Sequence, residues 1–266
     1  MLIDTHCHLD AAEFDQDRLT VLSAARQAGL GAIVVPAVSP QNWDTVQRLA
    51  EEEPDVWFAL GIHPLYVDRN SGDDLDRLRQ RVTALRDHPR LVGLGEIGLD
   101  HFVPGLDRLA QQHVFEAQMR LAADLGLPVI LHTRRAVDAV TCQIRRFRPP
   151  SGIAHAFNGS PQQAHHLITL GMALGFGGAM TFTRARNIRR LAASLPAASL
   201  VLETDAPDIP PDWCHSGRNQ PGELPRIAQV LAELRSLSRD ALIELTTHNA
   251  RQVLPALQRD DQRMRP

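Results

Sequence analysis

Leu91-Val92-Gly93-Leu94-Gly95-Glu96-Ile97-Gly98-Leu99-Asp100 contains a short apolar, β-rich run, Leu91–Glu96, that ends in a carboxylate. Before it, Leu75, Leu78, Val82 and Leu85 recur at helical spacing and predict a helix with one apolar face. Strand-like run and helical pattern together make one βα unit, and the unit repeats along the chain. Comparable runs lie near Leu2–Thr5, Ala32–Pro36, Val56–Leu60, Pro128–Leu131, Gly152–His155, Met172–Gly175 and Ser199–Glu203. Another helical face is expected from Leu19, Leu22, Ala25 and Leu30. Eight βα repeats in a chain of 266 residues point to a closed (β/α)8 TIM barrel of the α/β class more than to an open sheet.

Length alone permits one large barrel or two ordinary domains. No internal repeat beyond the βα alternation divides the chain, so one barrel domain is expected over residues 1–257, followed by a polar C-terminal tail, 258–266. The segment from Ala206 to Leu224 is rich in Pro, Gly and Asp and reads as a long loop after the eighth strand, where it borders a barrel's active-site mouth.

Hydrophobic residues at 44% and charged residues at 22% describe an ordinary globular chain and exclude a disordered one. No apolar run approaches the ~18 residues of a membrane span. The start, Met1-Leu2-Ile3-Asp4-Thr5-His6, has no secretory pattern, so a cytoplasmic location and no membrane association are expected. Cys7, Cys142 and Cys214 are odd in number and widely spaced, which argues against a disulfide framework. Cys7 lies between two histidines but, on a strand, points away from both. The formal charge of −3 provides no global attraction to nucleic acid, so a phosphate-bearing substrate needs a local basic patch. All 28 basic residues are arginine. The absence of lysine excludes a Schiff-base lysine, a phosphate-loop lysine and a carboxylated lysine bridging two metals.

Nearly every run ends in a residue that could bind a metal. The first continues into His6-Cys7-His8, and residues two apart on a strand share a face, so both imidazoles can converge on one cation. The others lead to His63, Glu96, His132, His155, and Glu203 with Asp205. Each alone could be a buried polar residue satisfied by its neighbours. Strand C-termini in a barrel all face one mouth, however, and unpaired carboxylates and imidazoles there need a compensating charge that divalent cations supply. Nitrogen and oxygen donors without thiolates suit Zn, Mn, Co or Mg and favour a transition metal over calcium.

These motifs resemble the TatD-like metal-dependent hydrolases of the amidohydrolase-like barrel superfamily. Ile3-Asp4-Thr5-His6-Cys7-His8, Gly61-Ile62-His63-Pro64, Gly95-Glu96-Ile97-Gly98-Leu99-Asp100, Leu131-His132-Thr133-Arg134 and Glu203-Thr204-Asp205-Ala206-Pro207 occur in the family's order. The resemblance covers Leu2 to about Val253. It implies a two-metal hydrolase in which His6, His8 and Asp205 hold one cation, His132 and His155 the other, and Glu96 bridges. It also implies a deoxyribonuclease-like activity, known for some members. Two positions depart from the pattern: Thr133-Arg134-Arg135 follows His132, and Gln220 stands before Pro221 where relatives more often have glutamate.

Beyond the ligands, Asp205 is the candidate general base. His63 is the candidate for substrate phosphate contact or leaving-group protonation, against a plain role in which the following proline shapes it and backbone bonds hold it. Arg134 could clasp a phosphate, or merely form a surface ion pair. Arg184, Arg186, Arg189 and Arg190 could extend a phosphate track or be a solvated helix face. Trp213 and Phe157 could stack on a base or simply pack. A phosphodiesterase acting on nucleic acid or nucleotides, a hydrolase of small-molecule amide, ester or lactone bonds, and a non-catalytic metal- or nucleic-acid-binding barrel remain the three readings. No obligate protein partner is expected.

Overall fold

The computed structural model describes residues 1–67, 71–214 and 217–258. Eight strands are hydrogen-bonded in sequence order, each parallel to the next: β1 Leu2–Asp4, β2 Leu30–Pro36, β3 Val56–Leu60, β4 Leu91–Gly98, β5 Val129–His132, β6 Gly152–Ala154, β7 Met172–Phe176 and β8 Leu200–Leu202. The helices between and after them are α1 Arg18–Gln27, α2 Trp43–Glu52, α3 Ser71–Ala84, α4 Arg108–Leu125, α5 Val137–Phe147, α6 Pro161–Thr169, α7 Arg186–Ser194, α8 Leu224–Leu234 and α9 Arg239–Val253. The order is that of the expected barrel.

The seam between β8 and β1 is closed by residues that also carry the site. The Thr5 amide and hydroxyl both donate to the Leu202 carbonyl at 3.0 Å, and the Asp205 and His8 amides donate to His6 and Ala206 carbonyls at 2.8 Å. The buried Asp4 carboxylate accepts from the Thr204 amide at 3.0 Å and from its hydroxyl at 2.6 Å. Asp4 therefore clamps the segment bearing His6 and His8 to the segment bearing Asp205.

Alternation along the strands divides the core. Ile3, Val34, Trp57, Val92, Ile130, Ile153, Ala173 and Val201 form one cluster with Ala250, Leu254 and Leu257, so the barrel interior is filled with side chains and covered at one end by α9 and the turn after it. The intervening strand residues pack with the helices in a second, larger cluster. No helix among the described residues is long and apolar enough to cross a membrane.

Leu78 and Val82 of α3 are fully buried as expected, with Leu75 and Leu85 partly so. The first helical face needs correction. α1 buries Val21, Leu22 and Ala25, Leu19 is 66% exposed, and Leu30 begins β2. The helix has already ended at Gly29, whose positive φ of 96° turns the chain before the strand. The long loop after β8 is present, ending in a short turn at Pro221–Glu223 before α8. Residues 259–266 of the expected tail lie outside the described residues, whereas Gln258 closes the helical turn that begins at Pro255.

Candidate metal centre

The barrel places its polar strand ends around one cavity of about 1110 Å³, lined by His8, His63, Glu96, His132, His155 and Asp205 among others. His6 lies beneath His8 and is fully buried. Glu96 projects from β4, His132 ends β5, His155 follows β6, and Asp205 lies just beyond β8 with a left-handed φ of 56°. All six expected ligands converge.

Glu96 is their centre. Its Oε2 lies 3.2 Å from His6 Nε2 and 3.4 Å from His8 Nε2, while its Oε1 lies 2.8 Å from His132 Nδ1 and 2.9 Å from His155 Nε2. Asp205 Oδ1 joins the first side, 3.5 Å from His6 Nε2 and 3.7 Å from His8 Nε2. The two imidazole nitrogens of that side are 3.2 Å apart. Ligands about 2.1 Å from one tetrahedral cation are separated by about 3.4 Å, so the His6, His8 and Glu96 donors fit such an ion. On the second side the His132 and His155 nitrogens are 3.3 Å apart. Donor atoms of His6, His155 and Asp205 also lie close enough together to share an ion, since the His155 ring stacks on His6 at 3.9 Å.

Electrostatics agree with the donor chemistry. Burial pushes the Glu96 carboxyl up, but His155, His63 and His6 and the His132 bond overcome it and hold it well below the ordinary carboxylate range. Burial also disfavours charged imidazoles, yet Glu96 draws His155 up to about 10 and His8 up to about 9. His6, the most enclosed, is driven well below its usual value by burial. The buried carboxylates thus attract positive charge into the mouth.

His63 also reaches Glu96, with Nε2 3.2 Å from Oε1. The triad His63, Glu96 and His132 could by spacing alone hold a metal. Hydrogen bonding argues otherwise. His63 Nδ1 accepts from the Leu65 amide at 3.1 Å, so in the neutral ring the proton sits on Nε2, which then donates and has no free lone pair for a cation. Burial holds the imidazole below its ordinary pKa and keeps it neutral.

Several participants lie outside the six ligands, His63 and Arg134. Asp100 Oδ2 lies 3.0 Å from His132 Nε2, and its Oδ1 accepts from the Phe102 and Val103 amides at 2.8 and 3.0 Å. It fixes the tautomer that leaves His132 Nδ1 facing Glu96. Its place in the quoted Gly98-Leu99-Asp100 run was the available signal. Glu203 is 1% exposed, accepts from the Ala156 amide through Oε1 and is pushed by burial up to about 8. It fits only because Gly175 has no Cβ, which would lie 2.1 Å from Glu203 Oε2. Two buried glutamines of α4 hold the loop bearing His63: Gln118 bonds both backbone groups of Ile62, and Gln111 Nε2 donates to the Pro64 carbonyl. Nothing in their local sequence marks them.

Arg134 lines the cavity with its side chain 51% exposed, beyond the end of β5 instead of on it, and its guanidinium is 4.0 Å from Asp100. Three other open readings resolve toward the plainer alternative. Phe157 is fully buried, Trp213 donates to Glu223 at 2.7 Å, and neither is among the residues lining the cavity. Arg184, Arg186, Arg189 and Arg190 are absent from the cavity lining, where α7 contributes Ile188; Arg189 instead bonds the Met180 carbonyl. Cys7 packs into the core, away from the imidazoles, as expected.

Comparison with known proteins gives the same outline. A relative in Escherichia coli K12, the uncharacterized metal-dependent hydrolase YjjV, is 41% identical over 249 residues, covering 93% of this chain and 95% of the relative. The crystal structure of that TatD homologue superposes with a TM-score of 0.90 at 39% identity, over 96% of this chain and 98% of the other. The 3'-5' ssDNA/RNA exonuclease TatD of a Pantoea species is 32% identical, covering 95% and 98% respectively. A family profile described as TatD related DNase matches residues 3–255, which span all of the eight strands except Leu2 and every converging side chain. With sequence likeness and barrel geometry coinciding over that whole length, the chain belongs to the TatD-related DNase family and is a metal-dependent hydrolase.

Proposed function

We propose that the protein hydrolyses phosphodiester bonds at nucleic-acid ends, using two divalent cations held at the barrel mouth. His6, His8 and Asp205 would hold one cation, His132 and His155 the other, and Glu96 would serve both. The observation that carries this reading is the division of the Glu96 carboxylate, with Oε2 toward the first group and Oε1 toward the second. Carboxylate bridging also suits a chain without lysine. The mixed nitrogen and oxygen donors suit Zn, Mn, Co or Mg. When bound, such a pair lowers the pKa of water and stabilises charge on the attacking and leaving oxygens of a displacement.

The protein's own groups supply the proton transfers and the positioning. Asp205, 8% exposed at the cavity wall and raised by burial, is the base that takes the proton of the attacking water. His63, with its proton on Nε2, offers a hydrogen bond to a substrate phosphate oxygen. Arg134 offers a guanidinium to a phosphate oxygen. The exonuclease name carried by the Pantoea relative supports a nucleic-acid substrate. A cytoplasmic site of action accords with three free cysteines.

The test is a substrate panel for protein loaded with Mn, Zn or Mg: single-stranded DNA, nucleotides, phosphodiester dyes, esters, lactones and N-acyl compounds. Shortening of single-stranded DNA that chelation abolishes and metal restores is expected. Turnover confined to amides, esters or lactones would overturn the proposal, as would metal binding without hydrolysis of any member.

A further inference from the structure

Among the described phenylalanine, tyrosine and tryptophan side chains, the two exposed ones are Tyr66, at 54%, and Phe102, at 44%. Both line the cavity above the ligand cluster, together with Leu65, itself 42% exposed. Tyr66 is the chain's one tyrosine. Rings of this size are ordinarily buried, and a concentration of exposed apolar surface at one mouth marks a binding surface.

The rings belong to neighbouring, anchored loops. Tyr66 follows β3 and Phe102 follows β4. Gln111 joins the two loops, donating to the Pro64 carbonyl at 3.3 Å and accepting from the Asp100 amide at 3.1 Å. Asp100 in turn bonds both the Phe102 amide and His132. The platform is thereby tied to the same residue that orients a ligand.

Its charge is also specific. The guanidinium carbons of Arg134 and Arg135 lie 3.9 and 4.7 Å from the centre of the Phe102 ring. Each guanidinium plane extends the aromatic surface while its N–H edge serves a phosphate. Aromatic and guanidinium faces beside a cationic edge fit an unpaired base with its flanking phosphate; in a duplex the base faces are covered by stacking.

We propose that Tyr66 and the Phe102–Arg134 stack form a platform for the base next to the scissile phosphate. The proposal rests on the phosphodiesterase reading above. Tyr66→Ala, Phe102→Ala and the double variant, all at exposed side chains, test it on a single-stranded oligomer and on the same oligomer with abasic residues at its 3' end. Each substitution should raise KM for the ordinary oligomer roughly 5–150-fold with kcat unchanged, the range for losing one base–aromatic stack. KM for the abasic oligomer should already be high and should not respond. Tyr66→Phe should retain the ordinary value. Equal losses on both oligomers, or none, would overturn the platform.

A binding measurement separates the platform from the chemistry. A phosphorothioate oligomer ending in 2-aminopurine, mixed with Mn-loaded protein, should lose base fluorescence with the wild type and keep it with the double variant. Quenching without cleavage of any oligomer supports the platform and sinks the phosphodiesterase reading. Cleavage without quenching does the reverse, and absence of both overturns both.

Discussion

Asp100→Asn isolates the orientation of a single ligand. In the structure Asp100 Oδ1 accepts two backbone N–H bonds, from Phe102 and Val103, and Oδ2 faces His132 Nε2 at 3.0 Å. The asparagine has two ways to sit. If its amide nitrogen turned toward the backbone, two donors would lose their acceptor at roughly 1–3 kcal/mol each, or about 2–6 kcal/mol together. If its oxygen keeps the backbone bonds, the amide N–H₂ faces His132 Nε2 and makes that atom the acceptor. The imidazole proton then moves to Nδ1, the atom 2.8 Å from Glu96 that is assigned to the cation. Disturbing such an orienting bond weakens metal binding about 10–100-fold, or roughly 1.4–2.7 kcal/mol. That is generally the smaller cost, so the backbone bonds should survive and the metal should suffer. Calorimetric titration of chelator-stripped protein with Mn or Zn should show one equivalent bound as in the wild type and the other about 10–100-fold more weakly, with an unchanged melting temperature. Two equivalents of wild-type affinity would refute the tautomer argument. A lowered melting temperature would show that Asp100 serves mainly the loop.

Glu96→Gln leaves one oxygen and one N–H₂ where two oxygens faced two ligand groups; bound metal measured by elemental analysis should fall from two equivalents to one or none, and retention of both would mean that another group bridges. His63→Ala should keep its metal and melting temperature while hydrolysis falls about 10²–10³-fold, the usual cost of losing one hydrogen-bond donor to developing charge; parallel loss of metal, stability and activity would make His63 scaffold. Gly175→Ala pushes a Cβ to within 2.1 Å of the Glu203 carboxylate and so threatens its bond to the Ala156 amide, and should destabilise by about 1–3 kcal/mol in a denaturant titration. An unchanged midpoint would show that Glu203 can move at no cost.

Sequence by itself determined the barrel and the six converging groups. Eight apolar runs alternating with helical patterns leave few ways to bury both faces of a parallel sheet, and in a closed βα barrel all strand C-termini share one mouth. His6, His8, Glu96, His132, His155 and Asp205 could therefore be gathered without coordinates, because each stands at or just beyond the end of its own run. Local period failed where a helix stopped short, as at Leu30, and where exposure depends on distant neighbours, as for the fully buried Phe157 or Trp213 under Arg226. Tertiary structure alone decided how the groups face one another. Which Glu96 oxygen meets which imidazole, and which His63 nitrogen carries the proton, are set by contacts between side chains and backbone groups that periodicity does not describe. The placement of Glu203 against Gly175, the grip of Gln111 and Gln118 on the His63 loop, and the exposure of Tyr66 and Phe102 likewise come from pairs far apart in sequence. A residue's own neighbours in the chain fix its face and its element; the distances that make chemistry are fixed only when the barrel closes.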